Sequence, residues 1–174
     1  MRQFLLFVKI QMKINIEVNS LVKSPLADAF VRRIAAAVIE TELSGKLIAG
    51  EIELSIAFVS AAKIRQINKK YRGIDRPTDV LSFEGDDIAG AEVNCPRLLG
   101  ELAVCPQIIK QTAKESGADA KKETAWAIIH GILHLLGYDH ENDKKSAKLM
   151  RDRECHYLSK LRVEKEKGKT TIKN

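Results

Sequence analysis

Residues 130–140 read HGILHLLGYDH, and this run constrains the chain more than any other stretch. It holds three of the four histidines, His130, His134 and His140, spaced four and then six residues apart. On an α-helix, residues four apart project about 40° from one another and lie roughly 6 Å apart along the axis. His130 and His134 therefore share a face. Gly137 then offers a helix stop, because glycine enters the left-handed region without strain. The chain can turn there and bring His140 back toward the same point. Three neutral imidazole nitrogens converging on one position, with a fourth position open, make the arrangement of a catalytic divalent metal, most often zinc. A lone histidine would be read as an ordinary surface or core residue. Three at this spacing are read as ligands.

The same spacing matches H-E-x-x-H-x-x-G-x-x-H, the long zinc motif of one metalloprotease superfamily, including its glycine at Gly137. One letter differs. Where those proteases carry the glutamate that activates water, this chain has Gly131. A metal site of that geometry without its base argues against the usual peptidase mechanism.

With 174 residues, 45% of them hydrophobic, the chain suits a single globular domain with a substantial core. No run approaches eighteen uninterrupted apolar residues, so no transmembrane helix is expected. The start, MRQFLLFVKIQMK, lacks a small-residue cleavage site and runs straight into strand-like alternation, which argues against a signal peptide. Met12 is a candidate start, with the first eleven residues a mis-annotated or accessory extension, and residues 1–12 are read as an N-terminal extension outside the domain. Three cysteines (Cys95, Cys105 and Cys155) form no C-x-x-C pair, which suits a reducing cytoplasm and argues against both a disulfide scaffold and a cysteine zinc site.

The net charge of +6 is concentrated at the ends. Residues 160–174 hold six basic and two acidic side chains, residues 1–13 three basic and none acidic, and residues 14–159 carry a net −1. Global basicity is thus weak evidence for a partner. A local cluster is better evidence: Lys63, Arg65, Lys69, Lys70, Arg72 and Arg76 stand against a single Asp75. If it faces one way, it can engage several phosphates.

Alternation predicts strands at 13–19, 51–59, 78–83 and 98–105. A helix is expected from Ser24-Pro25 to about Leu43, in cap-then-proline order. Others are expected from Ser60 to Tyr71, from Pro106 to Ser116, from Asp119 to Leu136, and over 142–162. Residues 84–97 read as an acidic loop, either a lid or plain surface, and 163–174 as a basic, disordered tail. The expected fold is one α/β (α+β) domain over 13–162. It has a small mixed sheet of about four strands, about five helices, and the metal site at the end of a central helix.

The chain resembles the YbeY-type endoribonucleases, the rRNA maturation factors marked by H-G-x-L-H-L-x-G-Y-D-H. Residues 130–140 fit that pattern at every fixed letter. A second family segment, N-x-x-Y-R-x-x-D-x-P-T-D-V-L-S-F, matches Asn68 through Phe83, and a third, L-L-G-[DE], matches Leu98–Glu101. Glu84 departs from the proline that commonly follows L-S-F. The resemblance covers roughly residues 13–160. It implies a metal-dependent, single-strand-specific endoribonuclease of rRNA maturation and ribosome quality control, acting with the small ribosomal subunit in the cytoplasm. It also implies zinc on the three histidines, one per chain with other divalent metals admissible, and a functional arginine at Arg72.

Arg65, Lys69, Lys70 and Arg76 are expected to assist in binding RNA, and Asp139 to orient its neighbouring ligand His140. Without a glutamate at 131, proton removal falls to water activated by the metal, to the ribose 2′-hydroxyl, or to a carboxylate such as Asp139 or Asp143. The first ranks highest. His156 is read as a surface or packing residue, Trp126 as core or rim, and Tyr138 as a turn residue that could also lean on the site. Asp79 and Ser82 are read as hydrogen-bonding residues of the strand entrance. Two competing readings are a different metallohydrolase and a non-catalytic ribosome assembly factor with a structural metal.

Overall fold

A computed structural model of the chain describes residues 13–44, 50–85, 96–139 and 144–161. Its elements run β1 (Lys13–Ser20), α1 (Asp28–Glu42), β2 (Glu51–Phe58), α2 (Ala61–Arg72), β3 (Val80–Glu84), β4 (Arg97–Val104), α3 (Pro106–Ser116), α4 (Ala120–Leu135) and α5 (Lys144–Lys160). The four strands form one mixed sheet in the order β1-β2-β4-β3. The β1–β2 and β2–β4 pairs are parallel, and β3 returns antiparallel along the edge of β4. The fold class read from the sequence is the one observed.

Period-two patterning decides which sheet face is dry. Ile52, Leu54, Ile56 and Phe58 of β2 are all buried, and they join α1 and α4 in the main core. A smaller cluster on the other face joins Ile64 of α2 to Leu81 and Ala103. Helix α4 is the central element, in contact with α1, α3, α5, β3 and β4. From Ile128 to Leu135 every residue is buried except His130 and His134. Burying each aliphatic side chain stabilises the fold by about 1.5–3 kcal/mol, which fixes the helix rotation and hence the direction of both imidazoles.

Local signals set most element ends. The Ser60 hydroxyl accepts from the Lys63 amide at 3.2 Å, capping α2 as its sequence predicts. Asp119 does the same for α4, accepting from Lys121 at 2.7 Å. Two starts differ from expectation. Helix α1 begins at Asp28, not at Pro25, because the Ser24 hydroxyl is used by the Leu26 amide in a local turn. Leu26 then dives into the core before the helix starts. Strand β3 begins at Val80, not Thr78, because the Asp79 carboxylate takes both the Val80 amide and the Thr78 hydroxyl, each at 2.9 Å. Most of the acidic loop, and residues 1–12 and 163–174, lie outside the described residues.

Candidate active site

Helix α4 ends where the histidine run predicts a stop. Gly137 has φ +89°, its amide bonds to the His134 carbonyl at 2.9 Å, and the Tyr138 amide reaches the Leu133 carbonyl at 3.0 Å. This pair of bonds is a Schellman motif, which closes the helix and sends the chain off at a fixed angle. His130 and His134 occupy the last turns of α4, with ring centroids 4.7 Å apart and planes at 83°. Both line a cleft of about 760 Å³ between this end of α4 and edge strand β3. Gly131, Gly137, Tyr138 and Asp139 complete one wall, and Arg72, Thr78, Asp79, Val80, Ser82 and Glu84 form the other.

The sequence reading missed Glu154. It sits on the buried stripe of α5 with Met150 and Tyr157, and its Oε1 accepts from His130 Nδ1 at 2.7 Å. Its other oxygen accepts from the Trp126 indole N–H at 3.0 Å. Trp126 lies one helical turn before His130, with ring centroids 4.8 Å apart. A carboxylate on Nδ1 fixes the imidazole tautomer and rotation and leaves ligation to Nε2, as carboxylate partners of metal-binding histidines do. A glutamate on the apolar register 150, 154, 157 is the signal that could have found it.

The donor set therefore suits a divalent metal: two imidazoles on one face at the cleft wall, one of them oriented by a buried carboxylate. Among the described residues no group of three potential ligands assembles. The expected third ligand, His140, and the alternative base Asp143 lie outside the described residues. Asp139 lines the cleft. His156 is exposed on α5, as its bland reading requires, and Trp126 is a half-buried rim residue. Asp79 and Ser82 line the cleft as well as serving the strand entrance.

Of the basic cluster only Arg72 reaches the cleft wall. It is the last residue of α2, and the turn after it is braced by the buried Asn68, whose amide donates to the Arg76 carbonyl at 2.8 Å. Arg65 and Lys69 are instead paired with Asp75, at 2.7 and 2.8 Å. The Arg65 guanidinium, then Lys69, hold the Asp75 carboxyl down at about 2. Lys70 lies over the Tyr71 ring, 4.7 Å from its centroid. These pairs are exposed and worth little to stability, but they spend part of the cluster's charge within the protein.

Gly131 has a packing reason. A Cβ there would lie 2.8 Å from Cδ2 of Leu102, a β4 side chain only 1% exposed, and 3.4 Å from Val80. Gly100, in the third motif, is its counterpart on the strand: a Cβ would meet the Phe83 carbonyl oxygen at 2.4 Å and Leu135 at 2.7 Å. The absence of Cβ at these two positions seats α4 close on β4. Gly131→Ala should therefore destabilise the protein despite alanine's helix preference of about 1 kcal/mol. Overpacking costs about 1–3 kcal/mol, so calorimetry should show Tm falling by about 2–4 °C. A rise in Tm would mean that Leu102 simply swings aside.

Comparison with known proteins agrees with this architecture. The family described as Endoribonuclease YbeY matches residues 15–162. The Endoribonuclease YbeY of a Sulfurihydrogenibium species is 40% identical over 126 residues, 72% of this chain and 81% of that protein. That of Chloroflexus aggregans is 40% identical over 136 residues, covering 76% and 86%. The solution structure of TM1509 from Thermotoga maritima superposes with a TM-score of 0.51 at 28% identity, covering 86% of this chain and 87% of that one. With the match spanning β1 through α5, the chain belongs to the YbeY endoribonuclease family.

Proposed function

We propose that this endoribonuclease is metal-dependent, cuts single-stranded RNA, and acts in the cytoplasm on rRNA of the small ribosomal subunit during maturation and quality control. One zinc per chain would be held by His130, His134 and His140. The observation that carries the metal reading is the 2.7 Å bond from His130 Nδ1 to the buried Glu154, a partner that an idle surface histidine does not need. A zinc ion bound there supplies Lewis acidity, making a water more acidic and polarising a phosphoryl oxygen.

The chain's own residues do the rest. Arg72, across the cleft from the histidines, offers a planar fork to the phosphodiester and meets charge as it develops on the phosphate oxygens. Asp139 orients its neighbour His140. Asp79, whose carboxylate already holds Thr78 and Val80, shapes the opposite wall. The described residues contain no helix long and apolar enough to cross a membrane, in keeping with a cytoplasmic role.

The test pairs metal analysis with cleavage of a single-stranded and a duplex RNA of the same sequence. The expected result is about one zinc per chain, cleavage confined to the single strand, loss on chelation and recovery on adding zinc. Arg72→Ala should lower kcat/KM about tenfold, the worth of one charged hydrogen bond, with zinc content unchanged. Full cleavage by a chelated, metal-free protein would overturn the metal reading.

A further inference from the structure

Glu42 is a buried carboxylate that the reaction does not use. It is the last residue of α1, its side chain is 6% exposed, and it accepts hydrogen bonds from two tyrosines. Tyr138 donates to Oε2 at 2.6 Å and Tyr157 to Oε1 at 2.5 Å, with Arg153 Nε 3.7 Å from Oε1. Both local terms oppose a glutamate here. A helix C-terminus carries a partial negative charge, and α1 has no basic residue in its last turn. Burial of a carboxylate adds a desolvation cost. What offsets these terms is tertiary: the two hydroxyls come from segments 96 and 115 residues away.

The placement of those donors is informative. Tyr138 follows Gly137 in the turn that ends α4 and lines the cleft, and Tyr157 lies on α5. One carboxylate thus ties the turn after α4 to α5. On its other side, Tyr138 is fixed through its amide to the Leu133 carbonyl. A residue tied at backbone and hydroxyl has little freedom left. The Glu154 pair orients His130 from α5, at the other end of the same helical turns.

We infer that Glu42 is a positioning residue for the metal site, acting through the Tyr138 hydroxyl to hold the turn that closes α4 beside His134. The inference rests on the three-histidine metal reading. It assigns the C-terminus of α1 a part in metal affinity, although α1 supplies no ligand.

The experiment compares Tyr138→Phe, Tyr157→Phe and Glu42→Gln with the full-length wild-type chain. Zinc affinity is read by competition with a chromophoric chelator, and the visible spectrum of the cobalt-loaded protein reports ligand geometry. Each tyrosine variant removes one hydroxyl from the same carboxylate, so a merely structural role affects them alike. The expected result is about tenfold weaker zinc binding and an altered cobalt spectrum for Tyr138→Phe and Glu42→Gln. Tyr157→Phe should change affinity by less than about twofold at a comparable loss of Tm. Combining Tyr138→Phe with Glu42→Gln should add little to either alone, since both break one link. If Glu42→Gln does not fold, the contrast between the two tyrosine variants still decides. Unchanged zinc affinity in Tyr138→Phe, or equal losses in both tyrosine variants, overturns the inference. Failure of the wild type to bind any metal would instead overturn the reading on which it rests.

Discussion

His134→Ala is expected to yield a folded protein that has lost both stoichiometric zinc and RNA cleavage. The fold should survive for local reasons. His134 is half-buried at the cleft wall, while its neighbours Leu133 and Leu135 carry the packing of the last turn. Alanine is the best helix former, so truncation costs the backbone nothing. The Schellman closure uses the residue 134 carbonyl, which alanine retains. Activity should not survive. A metal contributes several kcal/mol of transition-state stabilisation, and each 1.36 kcal/mol is tenfold in rate, so a loss of about 10³-fold is expected. The measurements are zinc per chain, Tm without metal, and cleavage of a single-stranded RNA. The metal-free Tm should match that of metal-free wild type within a few degrees, about the effect of one surface substitution. Cleavage at the wild-type rate in a zinc-free variant would sink the three-histidine mechanism.

What the sequence disclosed here was local, and what it hid was not. The helix stop at Gly137, the shared face of His130 and His134 and the Ser60 cap each depend on residues within one turn. A spacing rule reads them directly. The start of α1 was misplaced because Ser24-Pro25 satisfies the cap rule as well as a tight turn does. Burial of Leu26, a tertiary event, decides between them. The basic cluster was visible as composition, but its direction was not. Pairing of Arg65 and Lys69 with Asp75 leaves Arg72 as its member at the cleft. Glu154 and Glu42 were missed because their partners lie 24 to 115 residues away, beyond any helical period.

Gly131 shows how one position can serve two purposes. Compared with the zinc-protease motif it is a missing base. In the fold it is where α4 packs against Leu102 of β4. A glutamate there would place a Cβ 2.8 Å from Leu102 Cδ2, so a protease-type base would have to displace this packing. The carboxylate beside the histidines comes from α5 instead, where Glu154 bonds to His130.

Glu154→Gln separates support of the metal from support of the fold, because the two should respond by very different amounts. Glutamine keeps the shape but loses the charge. It can still accept from His130 Nδ1, yet its amide then faces the Trp126 indole, a donor against a donor. Loss of a carboxylate behind a ligating histidine typically weakens metal binding by about 10–100-fold, and that range is expected for zinc here. The metal-free protein should lose little stability and can gain some. Burying the carboxylate carries a desolvation cost that offsets part of what its bonds to the imidazole and the indole contribute. Trp126 is the one tryptophan in the chain, so its fluorescence reports the changed contact directly. Trp126→Phe offers the matching control, since it removes a donor to Glu154 while keeping the carboxylate on His130, and it should cost zinc affinity only a few-fold. The measurements are chelator competition for zinc and denaturant unfolding without metal. Equal zinc affinity in Glu154→Gln and wild type would mean that the 2.7 Å contact merely packs α5 against α4. Weaker zinc binding with an undiminished metal-free stability would mark Glu154 as a residue kept for the metal.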